Sequence, residues 1–211
     1  MNNKIASTVI PSLLTYSRHE FEEKYSYIQV NTSKHTLAHI DVMDGKFVPT
    51  TCWCTPQKIR SMNFKRPFEV HLMTNNPERR IAAWKRAGAQ RIHFHIEATP
   101  NPLLVINQIH KAHMQAGVAL NARTSLKKIE LIAGHADAIL VMGIQPGKTG
   151  KHLETSTFQK LKTLRKKALR VPLLVDGGVS QINASKLLAS GAEGLISTSM
   201  FYPKELLKKY Q

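Results

Sequence analysis

Two histidines and two aspartates stand near the ends of short apolar runs, where metal binding and proton transfer could be combined. His39 and Asp41 belong to one run, His71 to the next, and Asp176 to a run much later in the chain. Because residues two apart on a strand point to the same side, His39 and Asp41 share one face. If that face lines the interior of a barrel, all four side chains converge there. Two imidazoles and two carboxylates are suitable ligands for a divalent ion such as Zn²⁺, Mn²⁺ or Fe²⁺.

Two carboxylates on opposite sides of a metal ion suggest reversible proton transfer at a carbon next to a carbonyl group. In this interpretation the metal holds the carbonyl oxygen and the neighbouring hydroxyl oxygen, and it stabilises the enediolate that forms. One of Asp41 and Asp176 removes the proton from one face of that carbon, and the other returns it to the opposite face. The pair therefore predicts an epimerase or isomerase. No Gly-x-Gly-x-x-Gly sequence follows a predicted strand, so a nicotinamide cofactor is not expected.

Apolar runs of strand length alternate with amphipathic stretches along the chain. This alternation indicates βαβ units and a parallel sheet. Eight strands in about 200 residues fit a single (β/α)8 TIM barrel, and a doubly wound open sheet is the competing architecture. We favour the barrel because the polar residues fall at the carboxyl ends of strands, where such barrels build their active sites. The predicted strands span residues 6–14, 37–43, 68–73, 91–96, 117–121, 138–143, 171–176 and 194–198, and the predicted helices include residues 77–87, 102–116, 156–168 and 182–190.

Length and composition favour one globular domain, residues 1–211. Hydrophobic residues make up 42% of the chain, which is enough for a buried core. No apolar run reaches the roughly 18 residues of a membrane span, and the first residues lack the apolar centre of a secretory signal. The two cysteines, Cys52 and Cys54, are too close in sequence to staple a secreted fold. We therefore expect a cytoplasmic protein with no membrane association.

The charge is strongly positive, because 30 Lys and Arg against 14 Asp and Glu give a net charge of +16. Such a balance is typical of proteins that bind nucleic acids, anionic surfaces or phosphorylated substrates. Most basic residues fall in predicted helices, including the 160–170 stretch, and would form the solvated outer surface of a barrel. Aromatic residues do not interleave with these charges, as they do in proteins that bind single strands. A nucleic acid is therefore not the expected partner, although a non-catalytic basic barrel that binds RNA or another anion is an alternative.

Eight short segments follow one another in the same order as in one known family. They are Pro11-Ser12-Leu13-Leu14; His39-Ile40-Asp41-Val42-Met43-Asp44-Gly45 with Phe47-Val48-Pro49; Val70-His71-Leu72-Met73; Phe94-His95-Ile96-Glu97-Ala98; Ala119-Leu120-Asn121; Val141-Met142; Pro146-Gly147; and Val175-Asp176-Gly177-Gly178-Val179. Over nearly its whole length, the chain resembles the ribulose-phosphate 3-epimerase family. The resemblance implies a (β/α)8 barrel, usually a homo-oligomer, with one divalent metal ion per subunit. It also implies interconversion of D-ribulose 5-phosphate and D-xylulose 5-phosphate, a reaction of the pentose phosphate pathway.

The same resemblance implies roles for individual residues. The metal ligands would be His39, Asp41, His71 and Asp176, and the two aspartates would be the acid/base pair. Ser12 and His71 would contact the substrate. Three methionines would form an apolar cap that excludes water from the reacting carbon, namely Met43, Met73 and Met142. Loops rich in glycine would bind the phosphate through backbone N–H groups, and the residues at those positions are Gly147, Gly150, Gly177, Gly178, Thr198 and Ser199.

The phosphate loops depart from the family's pattern. The loop after the sixth strand resembles Asn-Pro-Gly-Phe-Gly-Gly but reads Gln-Pro-Gly-Lys-Thr-Gly from residue 145 to residue 150, and Thr198 follows the eighth strand where the family has glycine. Thr198 could obstruct the phosphate or add a hydroxyl donor. Lys148 and Lys151 could supply charge that lost amide contacts no longer provide. The substrate therefore stays open between D-ribulose 5-phosphate and a ketohexose phosphate of the allulose 6-phosphate type.

Overall fold

Eight parallel strands form the centre of the molecule in a computed structural model, which describes residues 8–148, 150, 152–167 and 170–210. The strands are β1 (Val9–Pro11), β2 (Ala38–Met43), β3 (Phe68–Met73), β4 (Arg91–His95), β5 (Gln115–Leu120), β6 (Ala138–Met142), β7 (Leu173–Asp176) and β8 (Gly194–Ser197). Strands β2 to β8 pair in sequence order, and β1 pairs with β8. A single bridge joins Ser12 to His39 between β1 and β2, where Leu13 N–H also donates to His39 O at 2.7 Å. The sheet therefore nearly closes into the predicted (β/α)8 TIM barrel, and the doubly wound alternative is wrong.

Helices alternate with the strands. In the described part of the chain they are α1 (Arg18–Asn31), α2 (Pro56–Ser61), α3 (Ile81–Ala87), α4 (Pro102–Lys111), α5 (Lys127–Glu130), α6 (Ser156–Lys166), α7 (Ala184–Ala189) and α8 (Lys204–Lys208). Ser17 caps α1 by accepting a hydrogen bond from Glu20 N–H at 3.1 Å. Pro102 begins α4, at a position where no N–H donor is required. Within the described ranges, no helix combines the length and the apolar character needed to cross a bilayer.

The predicted boundaries hold for some elements and fail for others. Strand β3 has the predicted limits, whereas the helix predicted over residues 102–116 ends at Lys111. His113 then adopts a left-handed backbone conformation, with φ at 54°, and turns the chain toward β5. Met114 and Ala116 are buried around the start of that strand. Their apolar side chains continue the helical spacing in the sequence, although the chain turns between the helix and the strand. Residues 6, 7 and 168 of the predicted elements lie outside the described residues.

The two faces of the strands meet different surroundings, because successive side chains point to opposite sides. The outward face packs against the helices in the main hydrophobic core, which contains Phe21, Phe68 and Trp84. The inward face of β5 to β8 contributes a separate apolar cluster of Ala119, Ala138, Leu140, Met142, Leu174 and Ile196. The inward face of β2 to β4 instead carries buried polar residues, among them His39, Asp41, Glu69, His71, His93 and His95. The polar half of the barrel interior must supply its own hydrogen-bond partners, and it contains the candidate site.

One basic residue of the 160–170 stretch does not lie on the outer surface. The prediction of a solvated face is wrong for Lys160, which is 8% exposed. Its ammonium group donates to Asn121 O at 2.9 Å and to Thr124 O at 2.7 Å. Lys160 thereby satisfies two carbonyl groups of the loop after β5, so its charge serves the fold.

Candidate active site

The register between neighbouring strands brings the predicted site residues together. Asp41 on β2 is the direct partner of His71 on β3, and Met43 is the partner of Met73 two residues further along both strands. His39 precedes Asp41 by two residues and shares its inward face. Asp176, the last residue of β7, reaches the same place from another part of the barrel.

The four predicted metal ligands form one cluster. One ligand atom from each of His39, Asp41, His71 and Asp176 lies within 4.8 Å of the others. His71 Nδ1 lies 3.0 Å from Asp41 Oδ1 and 3.3 Å from Asp176 Oδ2, and His39 Nε2 lies 3.5 Å from Asp41 Oδ1. Both imidazoles are fully buried, whereas the Asp176 side chain is 14% exposed. The cluster is therefore closed on the histidine side and accessible on the Asp176 side.

An unpaired nitrogen in this cluster tests whether the residues suit a metal ion. His39 Nε2 is buried and has no hydrogen-bond partner, which is costly for a polar atom in a protein interior. A divalent ion held by the four side chains would give that nitrogen its partner. Two imidazoles and two carboxylates also match the donors preferred by borderline divalent ions such as Zn²⁺, Mn²⁺ and Fe²⁺. The residues present therefore fit such an ion.

The mutual interactions of the cluster favour an ionised Asp41 and positively charged His39 and His71. Burial alone would raise the pKa of Asp41, but contacts with His39 and His71 outweigh burial and lower that pKa well below its usual range. Burial also disfavours a charged His39, yet Asp41 and Glu69 raise the pKa of its imidazole above the ordinary value. The same holds for His71, whose pKa is raised by Asp176 and Asp41 against the effect of burial.

Ser12, the predicted substrate contact on the first strand, lies beside Asp41. Its hydroxyl group donates to Asp41 Oδ2 at 2.8 Å. The other carboxylate oxygen of Asp41 faces His71. Both oxygens of Asp41 are thus held in place, and Ser12 also lines the adjoining cavity.

A cavity of about 800 Å³ lies above the cluster and contains most of the predicted substrate contacts. Asp41 and Asp176 form part of its wall. The other predicted residues that line it are Ser12, Met43, Met73, Met142, Gly147, Lys148, Gly150, Gly177, Gly178, Thr198 and Ser199. His71 is fully buried beneath this wall. Lys151 lies outside the described residues.

The three predicted methionines are buried in the wall of the cavity. Met43 and Met73 form a small apolar cluster with Val48, and Met142 belongs to the apolar half of the barrel interior. The Thr50 hydroxyl donates to Met43 Sδ at 3.2 Å, which fixes the thioether in position. The thioether side chains of the three methionines are apolar and carry no proton that they could donate.

The predicted phosphate loops lie together along the same cavity. Gly177 has φ at 91°, and a Cβ at this position would press on the Ile144 side chain, so only glycine fits this close approach. Thr198 faces the cavity, whereas the Ser199 hydroxyl donates to Val179 O at 3.2 Å. Lys148 is exposed on the loop after β6, at the cavity wall.

A second layer of polar residues was not predicted. His39 Nδ1 lies 2.7 Å from Glu69 Oε1, and His71 Nε2 lies 2.9 Å from His95 Nε2. His95 Nδ1 lies 3.2 Å from Glu97 Oε2. Burial lowers the pKa of His95 to about 4 despite Glu97, which keeps its ring neutral at pH 7. The sequence did carry a signal for two of these residues. Glu69 stands two residues before His71, and His95 stands two residues after His93, which is the spacing that puts His39 and Asp41 on one face.

Comparisons with known proteins agree with this geometry. Residues 8–202 match the model of the family described as "Ribulose-phosphate 3 epimerase family". The chain belongs to the ribulose-phosphate 3-epimerase family. It is accordingly a carbohydrate epimerase, which is an isomerase.

Individual relatives in this epimerase family are similar over most of their length. The ribulose-phosphate 3-epimerase of Chlamydia muridarum is 34% identical over 184 residues, which cover 83% of this chain and 80% of that protein. The enzyme of the same name from Bacillus subtilis is 34% identical and covers 81% and 82%, respectively. The chloroplastic ribulose-5-phosphate-3-epimerase of Arabidopsis thaliana is 33% identical and covers 92% and 71%.

Among solved structures, a mutant tryptophan synthase alpha-subunit from Pyrococcus furiosus superposes with a TM-score of 0.67. The match covers 90% of this chain and 86% of that one, at 13% sequence identity. At this identity the likeness shows the shared barrel fold alone.

Proposed function

We propose that this epimerase interconverts D-ribulose 5-phosphate and D-xylulose 5-phosphate by inverting carbon 3. The observation that carries the proposal is the placement of Asp41 and Asp176. Both carboxylates line one cavity, and both approach the same nitrogen of His71, at 3.0 and 3.3 Å. Two carboxylates that reach a bound sugar from different strands can exchange a proton with its two faces.

The two aspartates divide the proton transfer between them. In either direction, one ionised carboxylate accepts the proton of carbon 3, and the protonated partner donates a proton to the opposite face. Ser12 donates to one oxygen of Asp41, so that its carboxylate keeps a fixed orientation during the transfer. When bound by His39, Asp41, His71 and Asp176, a divalent ion would stabilise the negative charge that develops on the carbonyl oxygen.

The methionines protect the deprotonated carbon. Met43, Met73 and Met142 cover the reacting side of the cavity with groups that cannot donate a proton. They would exclude water from carbon 3 once the sugar is bound, so that the proton comes from the second aspartate and the configuration at carbon 3 is controlled.

The loops after β6, β7 and β8 are the proposed phosphate site. Backbone N–H groups at Gly147, Gly150, Gly177, Gly178, Thr198 and Ser199 would donate to the phosphate oxygens. The support is that all six residues line the cavity that contains the two aspartates. Lys148, on the same wall, would add a charge-assisted contact in place of the aromatic residue typical of the family.

A cytoplasmic location is part of the proposal. It is supported by two free thiols in the described residues, Cys52 and Cys54. Cys52 Sγ accepts a hydrogen bond from Met43 N–H at 3.2 Å, so it contributes to the packing of the site without a disulfide.

A substrate panel on protein reconstituted with Zn²⁺, Mn²⁺ or Fe²⁺ tests the proposed reaction. We expect turnover of D-ribulose 5-phosphate in a coupled assay, with kcat/KM at least tenfold above that for a ketohexose 6-phosphate. Turnover of the ketohexose phosphate alone would reject the substrate and retain the chemistry. Absence of turnover with every metal and every substrate would reject the proposed function.

A further inference from the structure

We propose that Glu69 is a positioning residue that fixes the ring tautomer of His39 and thereby sets the metal affinity of the cluster. The inference rests on the metal centre of the proposed function. Glu69 is fully buried below the cluster and does not line the cavity, so it acts on the reaction only through other residues.

The sheet register places Glu69 opposite His39. The two residues are direct partners between β2 and β3, and Glu69 Oε1 lies 2.7 Å from His39 Nδ1. An ionised carboxylate only accepts hydrogen bonds, so Nδ1 must carry the hydrogen. In a neutral imidazole the lone pair is then on Nε2, which is the buried nitrogen without a partner. Glu69 thus directs that lone pair toward Asp41 and the other ligands.

Two further donors hold the Glu69 carboxylate in its charged form. Arg91 Nη1 donates to Glu69 Oε2 at 2.9 Å, and His93 Nε2 lies 3.0 Å from the same oxygen. The guanidinium group is always protonated, and its side chain is only 19% exposed. A fixed positive charge beside Glu69 favours the carboxylate, which then increases the basicity of His39 as a ligand.

The same arginine argues against a second metal ion at this level of the barrel. Ligand atoms of His39, Glu69 and His93 also lie within 4.8 Å of one another. A cation bound there would lie close to the positive Arg91 guanidinium, which already binds the Glu69 carboxylate. It would also have to displace the hydrogen on His39 Nδ1. Glu69 and His93 therefore support the cluster of four proposed metal ligands and do not form a second metal site.

The main test measures Zn²⁺ affinity by competition with a chelator in the full-length protein. Glu69→Gln should weaken Zn²⁺ binding about 10- to 100-fold. His93→Gln is the matched control, because it changes another buried residue bound to the same carboxylate, while Arg91 still holds the charge of Glu69 and the Glu69–His39 contact stays in place. We expect its Zn²⁺ affinity to stay within about threefold of the unsubstituted protein. Equal affinities of Glu69→Gln and the unsubstituted protein would overturn the proposal.

A spectroscopic measurement does not depend on folding of the Glu69 variant. In the Zn²⁺-loaded unsubstituted protein, ¹⁵N NMR of the histidine rings should show His39 protonated at Nδ1 and metal-bound at Nε2. Metal binding through Nδ1 of His39, or no binding of Zn²⁺ at all, would overturn the proposal. If the affinity and NMR results hold but no sugar phosphate turns over, the proposed function fails and the positioning role of Glu69 stands.

Discussion

At the scale of single residues, the two aspartates of the site differ in how firmly they are held. Asp41 accepts a hydrogen bond from Ser12 on one oxygen and contacts His71 with the other. The side chain of Asp176 is more exposed to the cavity, at 14% against 6% for Asp41. A carboxylate with access to the cavity can reach substrate directly, which makes Asp176 the more informative position for substitution.

Asp176→Asn should lower kcat/KM about 10²- to 10⁴-fold, because an amide cannot carry the proton. A coupled assay measures this loss, and the metal content of the variant is determined alongside, since Asp176 is also a proposed ligand. Asp137→Asn is the control, because it alters an exposed carboxylate that pairs with His110 away from the cavity. We expect full activity from the control. Native activity of a metal-loaded Asp176→Asn protein would contradict the assigned role.

At the scale of elements, a glycine on β5 leaves space for a buried histidine on the neighbouring strand β4. His93 and Gly117 are direct partners in the register. A Cβ at residue 117 would overlap the His93 ring, whereas one at Gly134 would meet open space. The absence of a side chain at Gly117 therefore makes room for the buried imidazole of His93, which contacts Glu69.

Gly117→Ala should reduce the free energy of unfolding by about 1–3 kcal/mol, as overpacking of a buried site does. Denaturant titration of the folded protein measures this difference. Gly134→Ala is the matched control and should stay within about 0.5 kcal/mol of the unsubstituted protein. A Gly117→Ala protein as stable as the Gly134→Ala protein would show that the His93 ring is not fixed over β5.

The elements also show what the sequence could predict. The two-residue period of strands placed His39 and Asp41 on one face, and the polar ends of the strands indicated a barrel site. The contacts of Glu69 and His95 could not be predicted in the same way, because they depend on the register between strands and on side-chain rotamers. The sequence pattern also places Lys160 on the solvated face of its helix, although it is buried. Helical periodicity does not show that a long side chain reaches back to loop carbonyls.

At the scale of the whole molecule, part of the +16 charge is used inside the fold. Lys24 is buried and pairs with Glu20 at 2.7 Å. Arg66 is buried too, and it donates to Ser33 O at 2.7 Å. Lys160 satisfies the loop after β5. Lys148, whose charge we propose acts on the substrate, is exposed on the wall of the cavity.

Lys148→Met should raise KM for D-ribulose 5-phosphate about 3- to 10-fold with little change in kcat, because the proposed contact of the lysine is with the phosphate and not with the reacting carbon. Steady-state kinetics at fixed ionic strength measure both constants. Lys162→Met, which removes an exposed charge from α6, controls for the loss of general attraction. Equal KM values for the two variants would remove Lys148 from the phosphate site.

The measurement that bears most directly on the account is solvent hydrogen exchange at carbon 3. The metal-loaded protein is incubated with D-ribulose 5-phosphate in D₂O, and deuterium is located by NMR in the recovered sugar phosphates. We predict deuterium at carbon 3 of both the ribulose and the xylulose epimers, with loss of exchange after removal of the metal by a chelator. Epimerisation without deuterium at carbon 3, or deuterium at a different carbon, would contradict proton transfer by Asp41 and Asp176.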